Sequence, residues 1–174
     1  AIDDPRWAAE VPRNNPGAEA QAAALLARWR GVGWPVIHVR HDSTEPNSTY
    51  RPGQPGNDFK RETAPLPGET IIAKRVNSAF IGTNLHHHLQ DIGARTLVML
   101  GVITNNSLEA SARNAGNLGY TVLLPEDCCF SFAKRDLRGK VWPAEDVHAL
   151  SLANLHGEYA AVTSSVEILK ALPR

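Results

Sequence analysis

Two adjacent cysteines, Cys128 and Cys129, are the only thiols in this chain of 174 residues, and sequence neighbours cannot staple distant elements together. A disulfide framework is therefore excluded, and a reducing cytoplasm is the expected setting. Net charge is also missing: 18 basic side chains balance 18 acidic ones. Nothing thus favours nucleic acid or an anionic membrane as a partner. No apolar run approaches the ~18 residues needed to span a bilayer. The opening stretch, AIDDPRWAAEVPRNNPG, is polar and Pro-rich, unlike a secretory signal. No G-x-G-x-x-G or phosphate-loop pattern occurs, so no nucleotide cofactor is expected.

What is present reads as one globular domain over residues 1–174. Apolar residues at 43% and charged residues at 21% are ordinary for a packed protein of this length. Apolar positions 18, 22, 25, 26 and 29 predict an amphipathic helix over Ala18–Arg30, stopped by Gly31 and Gly33. Pro35–Arg40 reads as a strand, with His38, His41 and Asp42 at its carboxyl end. A long Pro-, Gly-, Ser- and Asn-rich loop follows to Gly68, and such loops are more often functional than idle. Strand Thr70–Ala73 ends at Lys74, and Leu85–Ile92 reads as a helix. An apolar run, Leu97–Ile103, predicts a buried strand, followed by a helix from about residue 107. Strand Thr121–Leu124, a loop from Asp127 to Arg138, helix Ala144–Leu155, a strand near Tyr159–Val162 and a helix from about Ser164 complete the chain. Strands alternating with helices at this spacing imply an α/β, three-layer fold: a central parallel sheet with helices on both faces. In such sheets ligands bind beyond the carboxyl ends of the strands, where Lys74, Ser107, His41 and Asp127 are expected.

Residues 101–120, GVITNNSLEASARNAGNLGY, carry the most chemistry. A strand running into a helix N-terminus aims backbone N–H groups and the positive dipole end at one spot. That suits the oxyanion of acyl transfer, with the Ser107 hydroxyl at its mouth. The same residue types also suit a plain helix cap, because Asn and Ser favour that position. Both readings stand on the spacing alone.

The segment Gly101, Val102, Ile103, Thr104, Ser107, Leu108, Ala112, Arg113, Ala115, Leu118, Gly119, Tyr120 resembles the nucleophile motif of the isochorismatase-like cysteine hydrolases. That motif runs roughly G-hydrophobic-x-T-x-x-C-V-x-x-(S/T)-A-R-x-A-x-x-L-G-(Y/F), and the family's cysteine falls on Ser107. A serine-bearing branch, an inactive relative and an engineered replacement all fit. A second block, Ile72-Ala73-Lys74-Arg75-Val76-Asn77-Ser78-Ala79-Phe80-Ile81-Gly82-Thr83-Asn84-Leu85, is similar to the family's lysine motif and puts Lys74 on the catalytic lysine. A third, from Trp142 to Tyr159, looks like the C-terminal helix and strand of one subgroup. The resemblance implies an oxyanion hole from the backbone amides of Ile103 and Ser107. It also implies a non-proline cis peptide between Val102 and Ile103, and a homo-oligomer acting on a small molecule. Asn105, Asn106, Phe80 and His41 are the expected substrate-binding residues.

The family's aspartate stands in a first strand, before a segment resembling F-D-D-P. Asp3 and Asp4 align with that later segment, so the catalytic aspartate is expected upstream of residue 1; an alternative alignment puts Ile2-Asp3 on the strand motif itself, although no Gln follows at the right distance. A hydroxyl is far more basic than a thiol titrating near ~8.5, so it needs a stronger base; His41 is one candidate. Reduced or absent turnover is the more natural expectation.

No metal is expected. Asp42 is followed by Ser43 and Thr44, which breaks the Asp-x-His pair of the nicotinamidase branch. His86, His87 and His88 point about 100° apart on a helix and cannot converge on one ion. Lys134, Arg135 and Arg138, beside Asp136, read as a solvated loop. The expected reaction is hydrolysis of a small amide or related C–N bond through residue 107; a non-catalytic ligand-binding relative is the alternative.

Overall fold

The computed structural model describes residues 12–173, so Asp3 and Asp4 lie outside the described residues. Helix α1 (Ala18–Gly31) turns Ala18, Ala22 and Leu25 inward at helical spacing. Gly33, at φ +71°, takes the left-handed conformation that lets the chain reverse after it. Strands β1 (Ile37–His41) and β2 (Thr70–Lys74) pair in parallel, from Ile37 opposite Thr70 to His41 opposite Lys74. After helix α2 (Leu85–Asp91), strand β3 (Thr96–Val98) leads to β4 (Gly101–Val102) and helix α3 (Glu109–Asn117). Strand β5 (Thr121–Pro125) pairs in parallel with β3, and β6 (Cys129–Phe130) with β4. A short antiparallel hairpin, β7 (Lys134–Arg135) with β8 (Val141–Trp142), precedes helix α4 (Ala144–Leu155). Strand β9 (Ala161–Thr163) pairs in parallel with β5, and helix α5 (Ser165–Ala171) follows it.

The layering follows from the two-residue period of a strand. Val122 and Leu124 of β5 enter one core with Ala112 and Ala115 of α3 and Leu152 and Leu155 of α4. Between them, Leu123 packs on the other face with Ala22 and Leu25 of α1 and Ile168 of α5. Helices therefore cover both faces of the parallel strands, as the alternating pattern predicts. α3 reaches the β9 end closely enough that a Cβ on Gly116 would lie 2.9 Å from the Tyr159 carbonyl oxygen.

Two stretches differ from their predictions: the loop expected over Asp127–Arg138 carries the short strands β6 and β7, because their backbones pair with β4 and β8, and the apolar run before Ser107 is divided. The run Leu97–Ile103 is not a single buried strand: β3 ends at Val98, β4 occupies Gly101–Val102, and these residues are half-buried. Met99 N–H still bonds the Leu123 carbonyl at 2.9 Å, but Gly101 at φ +131° redirects the chain from β5 towards β6. An apolar run shows burial, and a change of partner strand leaves no mark in it. Among the described residues, no helix is long and apolar enough to cross a membrane.

Candidate active site

The carboxyl ends of β1 and β2 bring His41 and Lys74 together, with Lys74 Nζ 3.4 Å from His41 Nδ1. Lys74 is only 5% exposed. Its Nζ donates to the Val76 carbonyl at 2.9 Å and lies 3.1 Å from Ser107 Oγ. Burial disfavours the ammonium and pushes the Lys74 pKa down from 10.5 to about 8. His41 is also pushed down, first by burial and then by the Lys74 charge.

Ser107 sits in a wide turn, Thr104–Leu108, that opens directly into α3. The turn begins from extended Ile103, and the Val102–Ile103 peptide is cis, as the resemblance implies. No side chain caps this helix start, and Ser107 Oγ is turned to Lys74 instead. Thr104, wholly buried, donates to the Phe130 carbonyl at 3.0 Å and lies 2.9 Å from His148 Nδ1. With the threonine proton spent on Phe130, the histidine proton belongs on Nδ1, leaving Nε2 to face Asn15 Nδ2 at 3.5 Å. Burial lowers the His148 pKa and favours this neutral form.

A further tie fixes the nucleophile's helix to the loop after Lys74. Ser111 Oγ donates to the Ser107 carbonyl at 2.7 Å and accepts from Ala79 N–H at 2.9 Å. On the opposite wall, buried Asn57 places its amide nitrogen 2.9 Å from the His41 carbonyl and 3.0 Å from both Asp42 Oδ1 and the Tyr50 carbonyl. One side chain thereby organises the start of the long loop. Arg40 closes on Asp42 at 2.8 Å and holds its carboxyl below the usual range.

Between these walls lies a cavity of about 240 Å³, lined by His41, Tyr50, Asn77, Val102, Ile103, Asn106, Ser107 and Phe132. The structure thus brings Ser107, Lys74, His41, Ile103 and Asn106 to one place. Asn105 instead accepts from Ser131 Oγ at 3.0 Å, and Phe80 packs in the core against Tyr120; neither lines the cavity. Asp127, expected at the shared pocket, accepts from Ser165 N–H at 2.7 Å and so anchors the start of α5. The three histidines of α2 diverge: His86 Nδ1 lies 2.9 Å from the Tyr120 hydroxyl, His87 3.5 Å from Asp91, and His88 Nε2 3.4 Å from Thr70 Oγ1. Among the described residues no cluster of metal-ligating side chains forms. Both cysteines are buried, and burial pushes Cys128 up to about 12 and Cys129 also upward. Neither is poised as a thiolate.

Tyr50 and Asn57 belong to the long loop after β1, whose residues 41–60 the sequence marks as candidate pocket wall, whereas Asn77, Phe132, Ser111 and His148 escaped the sequence reading as site residues. Ser111 occupies the S/T position of the nucleophile motif, which was the one available signal. Asn57 and Phe132 come from irregular segments with no periodic mark.

Several known proteins resemble this chain. An isochorismatase domain model matches residues 6–167. The isochorismatase family protein YrdC of Bacillus subtilis is 36% identical over 169 residues, which is 97% of this chain and 89% of that protein. Maleamate amidohydrolase of Pseudomonas putida is 30% identical over 142 residues, 68% of this chain and 63% of that enzyme. A crystal structure of an isochorismatase family member from Chromobacterium violaceum superposes with a TM-score of 0.93 at 58% identity, covering 98% of this chain and 86% of that one.

Proposed function

This chain belongs to the isochorismatase family, and from that premise we propose that it hydrolyses the C–N bond of a small amide through an acyl-enzyme on Ser107. The observation that carries the reading is the 3.1 Å approach of Lys74 Nζ to Ser107 Oγ beside the cavity. The hydroxyl attacks the amide carbon, and the carbonyl oxygen becomes an oxyanion. The backbone amides of Ile103 and Ser107 are its donors, at the positive end of the turn and helix that follow. Loss of the amine leaves an acyl-serine, which water hydrolyses to the acid.

Size and lining restrict the substrate. A cavity of about 240 Å³ suits a small acid amide rather than a peptide. Tyr50, Val102, Ile103 and Phe132 give the cavity apolar area, while Asn77 and Asn106 offer amide groups for orientation. The relative named maleamate amidohydrolase supports the same reaction class. The reading includes a homo-oligomeric assembly in the cytoplasm, with no bound cofactor.

Ammonia release from a panel of small primary amides, maleamate included, tests the proposal with Ser107, Ser107→Cys and Ser107→Ala forms. Turnover by the serine form that is slower than in Ser107→Cys and vanishes in Ser107→Ala is the expected result. Turnover by the cysteine form alone makes Ser107 a silencing replacement in an amidohydrolase pocket. Ligand binding without turnover in any form overturns hydrolysis in favour of a binding module.

A further inference from the structure

We infer that the chain pairs with a second copy of itself through the β7–β8 hairpin, which seats on the exposed face of helix α4 of the other protomer. Each protomer gives one hairpin and receives one. The inference names the surface behind the homo-oligomer of the proposed function and does not depend on the chemistry at Ser107.

The hairpin presents side chains that its own chain leaves uncovered. Leu137 at its tip and Leu150 on α4 are the two most exposed large apolar side chains among the described residues, at 107% and 65%. A turn tip ordinarily carries Gly, Asn, Asp, Pro or Ser, so the turn itself gives no reason for a leucine there. Val141 and Trp142 of β8, both exposed, extend the apolar surface. The arm is also held in shape. Asp136 N–H bonds the Lys140 carbonyl at 2.9 Å, and Gly139 N–H, with Gly139 at φ +85°, bonds the Asp136 carbonyl at 3.0 Å. The Asp136 carboxylate accepts from Arg138 N–H at 2.8 Å, Lys140 N–H at 3.0 Å and Trp142 Nε1 at 3.0 Å. A preordered arm loses little conformational freedom when it docks.

Charge selects the partner. Lys134, Arg135, Arg138 and Lys140 surround a single carboxylate, Asp136, which is spent on the turn. Among the described residues none of the four cations forms an ion pair; Lys140 lies over the Trp142 ring at 3.4 Å instead. The whole chain is neutral, so everything outside the hairpin carries a net negative charge, and a second copy offers the complement. Helix α4 joins that complement to an apolar face. Exposed Glu145 and Asp146 stand in its first turn, also without an ion pair among the described residues, and Ala149, Leu150 and Ala153 follow on the exposed side. The positive end of α4 already favours acids in the first turn, whereas nothing local calls for four cations around a leucine. Ala149 and Ala153, one turn apart on the same side of the helix, leave room beside Leu150 for an incoming Leu137.

The chain path suits a twofold axis. Only Pro143 separates β8 from α4, so the donating and receiving surfaces adjoin on every protomer. An isologous interface requires such self-complementary neighbours, and one axis then forms both contacts.

Sedimentation velocity and light scattering of the intact protein over a range of concentrations test the inference. The wild type is expected as a dimer or a multiple of one. Leu137→Asp, at a side chain that touches nothing in its own protomer, should raise the dissociation constant by about thirtyfold or more. Lys134→Glu with Arg138→Glu reverses the hairpin, and Glu145→Lys with Asp146→Lys reverses the helix. Either reversal alone should weaken the assembly, and both on one chain should restore it. An oligomer that every variant leaves intact, or a hairpin reversal that the helix reversal does not restore, overturns the inference and leaves the proposed assembly standing. A monomeric wild type overturns both and leaves the hairpin to a different acidic partner, while the Ser107 turnover panel still decides the hydrolase.

Discussion

His41 and Lys74 face each other across the last rung of a parallel strand pair, and their side-chain nitrogens meet at 3.4 Å. The rung places two basic groups side by side at a strand end. The surroundings accommodate them by disfavouring charge on both, with burial as the leading cause in each case.

Lys74 makes stability depend on pH in a defined direction. Its folded pKa of about 8 lies below the 10.5 of an exposed lysine. Between those values the unfolded chain holds more protons, so stability rises with pH across the window. Relative to Lys74→Met, the wild type should gain about 3 kcal/mol between pH 7 and pH 10.5. Urea unfolding of both forms measures it; a constant difference would show that burial does not perturb Lys74.

Ser111 acts on the nucleophile through backbone. Ser111→Ala removes the acceptor for the buried Ala79 N–H and the donor to the Ser107 carbonyl. A cost of about 1–3 kcal/mol in stability is expected. Turnover of the small-amide panel should fall with it, while Ser111→Thr, which keeps the hydroxyl, should restore both. An unchanged turnover rate in Ser111→Ala would remove Ser111 from the positioning of Ser107.

His148 gives an acid-side signature. Its folded pKa is lowered by burial, so the neutral form contributes stability above the unfolded value of about 6.5. That contribution is lost as the pH falls below it. His148→Gln should lower stability at pH 7.5 by about 1–3 kcal/mol, because Thr104 loses its geometry with Nδ1. The variant should also have a flatter acid limb than the wild type. Melting temperatures from pH 5 to 8 provide the comparison.

Gly116 reverses a familiar rule. Ala in place of Gly within a helix ordinarily stabilises by about 1 kcal/mol. Here the added Cβ would meet Tyr159 backbone atoms at 2.9 and 3.0 Å, and overpacking costs about 1–3 kcal/mol. Gly116→Ala should therefore melt lower than the wild type, and a higher melting temperature would mean that α3 and the Tyr159 segment separate easily.

Much of this architecture is written locally. The apolar spacing of α1, the short apolar runs of β1, β2 and β5, and the limits of α4 are all legible in the chain, because burial on one face imposes a period of 3.6 or 2. The motif residues around Lys74 and Ser107 could likewise be picked out before any coordinates, and so could the α/β layering. What the sequence left open depends on pairing at long range. Lys74 and Ser107 are 33 residues apart, as are His41 and Lys74, and only strand register decides that these side chains form one chain of contacts. Tertiary packing also turns Asp127 to Ser165 and Phe80 into the core, although both are as polar or as apolar as a pocket would require. Side-chain type fixes what each group can do. Which groups meet is set by the packing of helices and strands around them, and that appears only when the sheet is assembled.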